Sequence, residues 1–211
     1  MPAVTTEGLI LKRSNFGEAD RVITVLTDRF GKISVIAKGV RRITSRRAGN
    51  VELLNRVRLH LFKAKNYNLS EAESIETFQT LKSNLTLSTT AFHIIELIDR
   101  LVPEDQTNRA LYNLVVAVLQ ILEKNPRQIF VRSFEVKLLS LLGFWSIDAI
   151  SDLNPETKRM LQNLQFGSWE EIGQMTIDQQ QAIALENTMR YYIERTLESS
   201  LKSVKVLNKL K

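Results

Sequence analysis

The sequence predicts an α+β chain in two parts: a small five-stranded β-barrel over residues 1–80 and an all-helical domain over residues 81–211. Two observations carry this. Near Thr80 the apolar residues change their spacing, from alternation at every second position to a stripe at every third or fourth. The charge divides at the same place. Residues 1–80 hold 14 Lys and Arg against 8 Asp and Glu, a net of +6, whereas residues 81–211 hold 15 of each. The whole formal excess therefore lies in the first part, as in a polyanion-binding module joined to a neutral one. No internal repeat and no low-complexity linker separates the two.

Within the first part, Gly8–Lys12 is a short apolar strand and Phe16–Asp20 a polar turn. Arg21–Thr27 is β-branched and apolar on both faces, which predicts that both are covered. Asp28-Arg29-Phe30-Gly31 is a tight turn, with glycine free to take positive φ. Lys32–Ala37 points Ile33, Val35 and Ala37 to one face. Val51–Phe62 does the same with Val57, Leu59 and Leu61. Tyr67–Phe78 is the fifth strand and the weakest in pattern, because S-E-A-E-S forms strands poorly. Five strands with no long helix between them suggest an OB-fold, the five-stranded barrel that binds nucleic acid.

The second part begins with a helix over Ser88–Val102, striped by Ala91, Ile94, Ile95, Ile98 and Leu101 and stopped by Pro103. Thr107–Glu123 is apolar enough to be a central buried helix. Asn125-Pro126 reads as a cap and an N1 proline opening a helix to Leu142. Asn154 caps a short helix over Pro155–Gln165, and Asp178 caps a last one reaching at least Leu201. Lys202, Lys205, Lys209 and Lys211 in the tail suit the dipole at a helix C-terminus.

Several function classes fall away. With no cysteine there are no disulfides, thiolate metal sites or thiol nucleophiles, as befits a reducing cytosol. The opening M-P-A-V-T-T-E-G lacks the regions of a signal peptide. Apolar runs such as Leu114–Leu119 fall far short of the roughly 20 residues of a membrane span. Nucleotide-binding, hydrolase and metalloprotease motifs are missing, and His60 and His93 are too few for a metal site. His93, beside Glu96 and Arg100, reads as a surface residue, and Glu170-Glu171 as solvated loop charge. No enzyme activity, cofactor or metal is expected.

The candidate site is K-G-V-R-R-I-T-S-R-R, Lys38 to Arg47. It holds the cations Lys38, Arg41, Arg42, Arg46 and Arg47 and no acid. Gly39, Thr44, Ser45 and Gly49 give it loop chemistry. Like charges held together in a loop repel until an anion arrives, and guanidinium forks suit phosphate. Stacking platforms for bases are sought among Phe16, Phe62 and Tyr67; Tyr67, with Lys63 and Lys65 beside it, is the best placed.

T-E-G-L-I-L-K-R at Thr6–Arg13, F-G-E-A-D-R-V-I-T-V-L-T at Phe16–Thr27 and G-K-I-S-V-I-A-K-G-V-R-R at Gly31–Arg42 closely resemble the opening of bacterial RecO, a family of recombination mediators in DNA repair. F-E-V-K-L-L-S-L-L-G-F at Phe134–Phe144 and L-K-S-V-K-V-L at Leu201–Leu207 continue the resemblance. It implies an N-terminal OB-fold and a helical C-terminal domain. Many of the family carry a four-cysteine zinc module after the L-L-G motif; here the stretch Phe144–Asn154 is short and cysteine-free, so the chain resembles a zinc-free variant. The resemblance further implies binding of single- and double-stranded DNA and annealing of complementary strands. Also implied are work with RecR to load recombinase onto strands coated with single-strand-binding protein, and a cytoplasmic, nucleoid-associated place. That protein's acidic, apolar-tipped tail is expected on the helical domain, with Arg127 and Arg132 as its cations. Two rival readings are an OB-fold RNA-binding or translation factor and a nuclease or nucleotide-using enzyme, the second lacking clustered carboxylates at metal-ligand spacing.

Overall fold

The computed structural model describes residues 3–147, 153–198, 201, 203 and 206. Strands β1 (Ala3–Phe16), β2 (Asp20–Thr27), β3 (Gly31–Ala37), β4 (Arg56–Lys63) and β5 (Tyr67–Glu76) close a barrel in the order β1-β2-β3-β5-β4. Every pairing is antiparallel except β3 with β5, where Val35 and Ile36 oppose Tyr67 and Asn68. This is an OB-type barrel. Side chains two apart share a face, so Ile23 and Val25, Ile33 and Val35, and Val57, Leu59 and Leu61 fill the interior with Ile10 and Leu69. The outward side chains Leu9, Leu11 and Leu26 are buried in the helical core, which explains why β2 is apolar on both faces.

β1 is longer than its apolar centre. It pairs with β2 along one edge and β4 along the other, and ladder bonds carry its polar ends. β4 is shorter than expected: Leu54 takes φ 66, outside the strand region, so residues 51–55 turn and pairing begins at Arg56. Val51, read as strand, is instead buried among the residues of the barrel interior.

The helices are α1 (Gln79–Lys82), α2 (Leu85–Leu101), α3 (Arg109–Lys124), α4 (Gln128–Leu141), α5 (Pro155–Phe166), α6 (Trp169–Gln174) and α7 (Gln179–Leu197). Asn84, Asn108, Asn154, Ser168 and Asp178 cap five of them through their side chains. Four expectations are corrected. Asn125 closes α3, its N–H bonded to Ile121 O, and α4 starts only after Arg127, which is its N-cap in extended backbone. Glu171 is not loop charge; it completes a capping box with Ser168 at the start of α6. α7 ends at Leu197, where Glu198 turns to φ 52, short of Leu201. His93 is 4% exposed, its Nε2 2.6 Å from Glu135 Oε1 and its Nδ1 3.2 Å from Ser203 Oγ. The lysines of the tail lie outside the described residues.

Barrel and helices form one body. Besides the shared apolar cluster, the buried Lys32 donates from Nζ to Asp99 O at the end of α2 (2.6 Å). Arg56 on β4 donates to Glu7 on β1 (2.7 Å), Glu76 on β5 (2.8 Å) and the Tyr112 hydroxyl on α3 (3.3 Å). Gly31 sits where the α2–α3 connection crosses the barrel. Its φ is +70, and a Cβ there would run into the Gln106 carbonyl.

Candidate nucleic-acid interface

The basic segment leaves β3 and is held down at both ends. Val40 is fully buried in the barrel core. Arg41 N–H donates to Ala19 O (2.9 Å) and Gly39 N–H to Asp20 Oδ1 (2.7 Å), which fixes the segment against the β1–β2 turn. Gly39 has φ +65, a conformation that favours glycine. Tight turns follow, closed by Arg42 N–H to Gly39 O and Ser45 N–H to Arg42 O. At the far end Arg47 donates to Leu69 O (3.0 Å) and Ser70 O (3.1 Å) on β5 and to Lys38 O (2.8 Å) at the loop's start. Arg47 thus ties the loop shut and to the barrel.

The other four cations, Lys38, Arg41, Arg42 and Arg46, are exposed. Among the described residues none of the four is in an ion pair. The arginines on the strands differ: Arg13 and Arg21 pair with Glu52, Arg56 with Glu7 and Glu76, Arg58 with Glu73. An open cleft of about 620 Å³ lies within the loop, lined by Lys38, Arg42, Thr44, Ser45, Arg46 and Arg47, with Asp20 and Gly39. Ile43 stands fully exposed among the cations.

A second group gathers at the β4–β5 hairpin. Lys63 and Lys65 are exposed. The Tyr67 ring lies 4.7 Å from Lys63 Nζ and 5.7 Å from the Phe30 ring, and the Arg29 guanidinium sits 5.6 Å from Phe30. Tyr67 is therefore half-buried between a cation and a second aromatic. Sequence reading does not single out Phe30; the signal was an aromatic beside an arginine in a hairpin turn. Phe16 is 56% exposed beside the β1–β2 turn, and Phe62 is half-buried. The two groups share β5, since Arg47 binds the strand two and three residues beyond Tyr67, about 10 Å along it at ~3.3 Å per residue.

The structure does not bring Arg127 and Arg132 into a free cationic pair. Arg127 donates to Gly173 O and to Met175 O (2.8 Å), clamping the end of α6. Arg132 donates to both oxygens of Glu135, at 3.0 and 2.7 Å. Among the described residues no group of His, Asp and Glu could hold a metal ion, and no helix is long and apolar enough to cross a membrane.

Two family models match the chain. The family described as "Recombination protein O N terminal" matches residues 1–80, and "Recombination protein O C terminal" matches residues 82–145. The chain is similar to the DNA repair protein RecO of Symbiobacterium thermophilum, 34% identical over 148 residues, 68% of this chain and 58% of the relative. It is 36% identical over 148 residues to the protein of that name from Acetivibrio thermocellus, covering 68% of this chain and 59% of the relative. With Roseiflexus sp. the identity is 33% over 141 residues, 66% of this chain and 50% of the relative. The matched part thus spans between half and three-fifths of the relatives' length.

Proposed function

The chain belongs to the RecO family, and from that premise we propose that it is a non-enzymatic mediator of DNA repair and recombination that binds single- and double-stranded DNA and anneals complementary strands. The observation that carries this is the loop of cations without ion pairs on a barrel whose strand arginines are paired. Lys38, Arg41, Arg42 and Arg46 are exposed to neutralise phosphates without reading bases, Arg41 while also donating to Gly17 O (3.2 Å). Arg47 contributes its charge while it holds the loop in place. Tyr67 and Phe30, with Lys63 and Lys65, continue the surface along β5 and offer an unpaired base an aromatic edge. Annealing needs no nucleotide hydrolysis on this reading: screening the repulsion between two strands lets base pairing do the work.

RecR, recombinase loading and the acidic tail of single-strand-binding protein belong to the same proposal and rest on the family. Because Arg127 and Arg132 are engaged within the chain, their contribution to an acidic tail is a local positive field, not a pair of free forks.

Strand annealing with and without the cognate single-strand-binding protein tests the proposal. Annealing of bare and of coated strands is expected. Affinity for RNA above that for DNA of equal length, with no response to the coating protein, would replace it with an RNA-binding role. Salt gives the second test. Four single-strand phosphate contacts predict a slope of log affinity against log salt of about −3, and Ala at Arg41, Arg42 and Arg46 should flatten it by about 2. A slope unmoved by those changes would place the binding site outside the loop.

A further inference from the structure

We propose that the cleft within the basic loop is a discrete seat for one phosphate group of the bound strand, with the Ser45 hydroxyl as its uncharged donor. This rests on the reading of the loop as the DNA-binding element and adds to it. The observation is a polar atom without a partner: Ser45 Oγ is buried yet meets no donor or acceptor among the described residues. Buried hydroxyls are almost always paired, because leaving one dry and unbonded destabilises the fold. Ser45 lines the cationic cleft, so a turn about its Cα–Cβ bond would bring the hydroxyl to an acceptor held there.

The surroundings fix the chemistry of that acceptor. Arg42 folds back over Gly39, whose Cβ position lies 3.7 Å from Arg42 Cδ and Nε, so this guanidinium is placed at the cleft and not spread into solvent. Lys38 and Arg46 complete the cationic wall, and Arg47 keeps its shape through three carbonyl bonds. A ligand must therefore be anionic and must offer several oxygens at once, to a hydroxyl and to guanidinium forks. A phosphodiester does. Asp20 limits the capacity. Its Oδ1 accepts Gly39 N–H and its carboxylate lines the same cleft, so a second phosphate would meet a like charge.

A hydroxyl carries no charge, and that separates this seat from diffuse attraction. Ser45→Ala should weaken binding of a fluorescent oligothymidylate about tenfold, the loss of one hydrogen bond to a charged group, with the salt slope unchanged. Its Tm should be equal to or above that of the parent, since the change removes an unsatisfied group. Arg42→Ala should lower both affinity and slope. Ser45→Thr, which keeps a hydroxyl, should recover most of the affinity lost in Ser45→Ala. Parent-like affinity in Ser45→Ala overturns the seat, and so does a loss accompanied by an altered slope or a lower Tm. If Arg42→Ala still weakens binding in those cases, the loop remains the DNA-binding element. If neither variant weakens it, the reading of the loop fails as well.

Discussion

Glu135 has no exposed side-chain surface, yet it sits on α4 as a charge with partners on two sides. Burial pushes its carboxyl upward; the Arg132 guanidinium and the His93 ring outweigh that and hold it below the usual carboxylate range. A folded-state pKa below the unfolded one gives stability that is present above the ordinary carboxylate pKa of about 4.3 and is lost as pH falls through the depressed value. Glu135→Gln should therefore lower Tm at neutral pH, by the equivalent of about 3–5 kcal/mol, because it strands the Arg132 charge. The gap between variant and parent should narrow below about pH 4; a gap that is constant with pH would mean the carboxylate is not ionised in the fold. This cluster was hard to read in the sequence. Glu96 and Arg100 lie three and seven residues after His93 and suggest a wet face, but Glu135 on α4 and Ser203 cover that part of α2. Arg127 and Arg132 likewise read as free cations, since nothing in the sequence says that a carbonyl at Gly173 or a carboxylate three residues away will occupy them.

At the scale of the element, period-two alternation made the barrel strands legible, and the caps Asn154 and Asp178 did so for the starts of α5 and α7. Lengths were less legible where something other than side-chain pattern sets them. β1 is extended by partners on both edges, β4 is cut short by the positive φ of Leu54, and α6 is too brief to show a period. The turn at Gly31 was read correctly as a place for positive φ, but its second constraint, the passing Gln106 carbonyl, is invisible locally. The two constraints can be separated. Gly17 has φ +58 with open space around it, so Gly17→Ala meets only the backbone penalty of about 1–2 kcal/mol. Gly31→Ala meets that penalty and must also push the α2–α3 connection off the barrel. Its Tm should fall further than that of Gly17→Ala, by about 4 °C or more. Equal losses would show that the connection yields freely.

Charge and spacing divide the molecule into two modules; packing joins them. Leu9, Leu11 and Leu26 belong to the core of the helices, and Arg56 binds β1, β5 and α3 at once. Burial opposes the charge on Arg56, but its bonds to Glu76, Glu7 and Tyr112 more than offset this and raise its pKa further. On the other side of that contact, burial pushes the Tyr112 hydroxyl up to about 12 against the pull of Arg56. Both groups therefore keep their protons across the working range, and the junction does not loosen with mild alkali. The chain should melt in a single transition. Arg56→Met keeps much of the side-chain volume but removes the cation that Glu7 and Glu76 share, leaving Glu7 only the longer contact with Arg58 (3.9 Å). The three side chains are partly exposed, so the expected loss is about 1–3 kcal/mol, less than for a fully buried pair. Because one of the lost bonds, that to the Tyr112 hydroxyl, crosses from barrel to α3, calorimetry should show the transition broadening or splitting as well as shifting. Arg56 lines no part of the loop cleft, so DNA affinity at temperatures where the variant is folded should match the parent. A sharp single transition in Arg56→Met would mean that the apolar seam of Leu9, Leu11 and Leu26 suffices to make barrel and helices one cooperative unit.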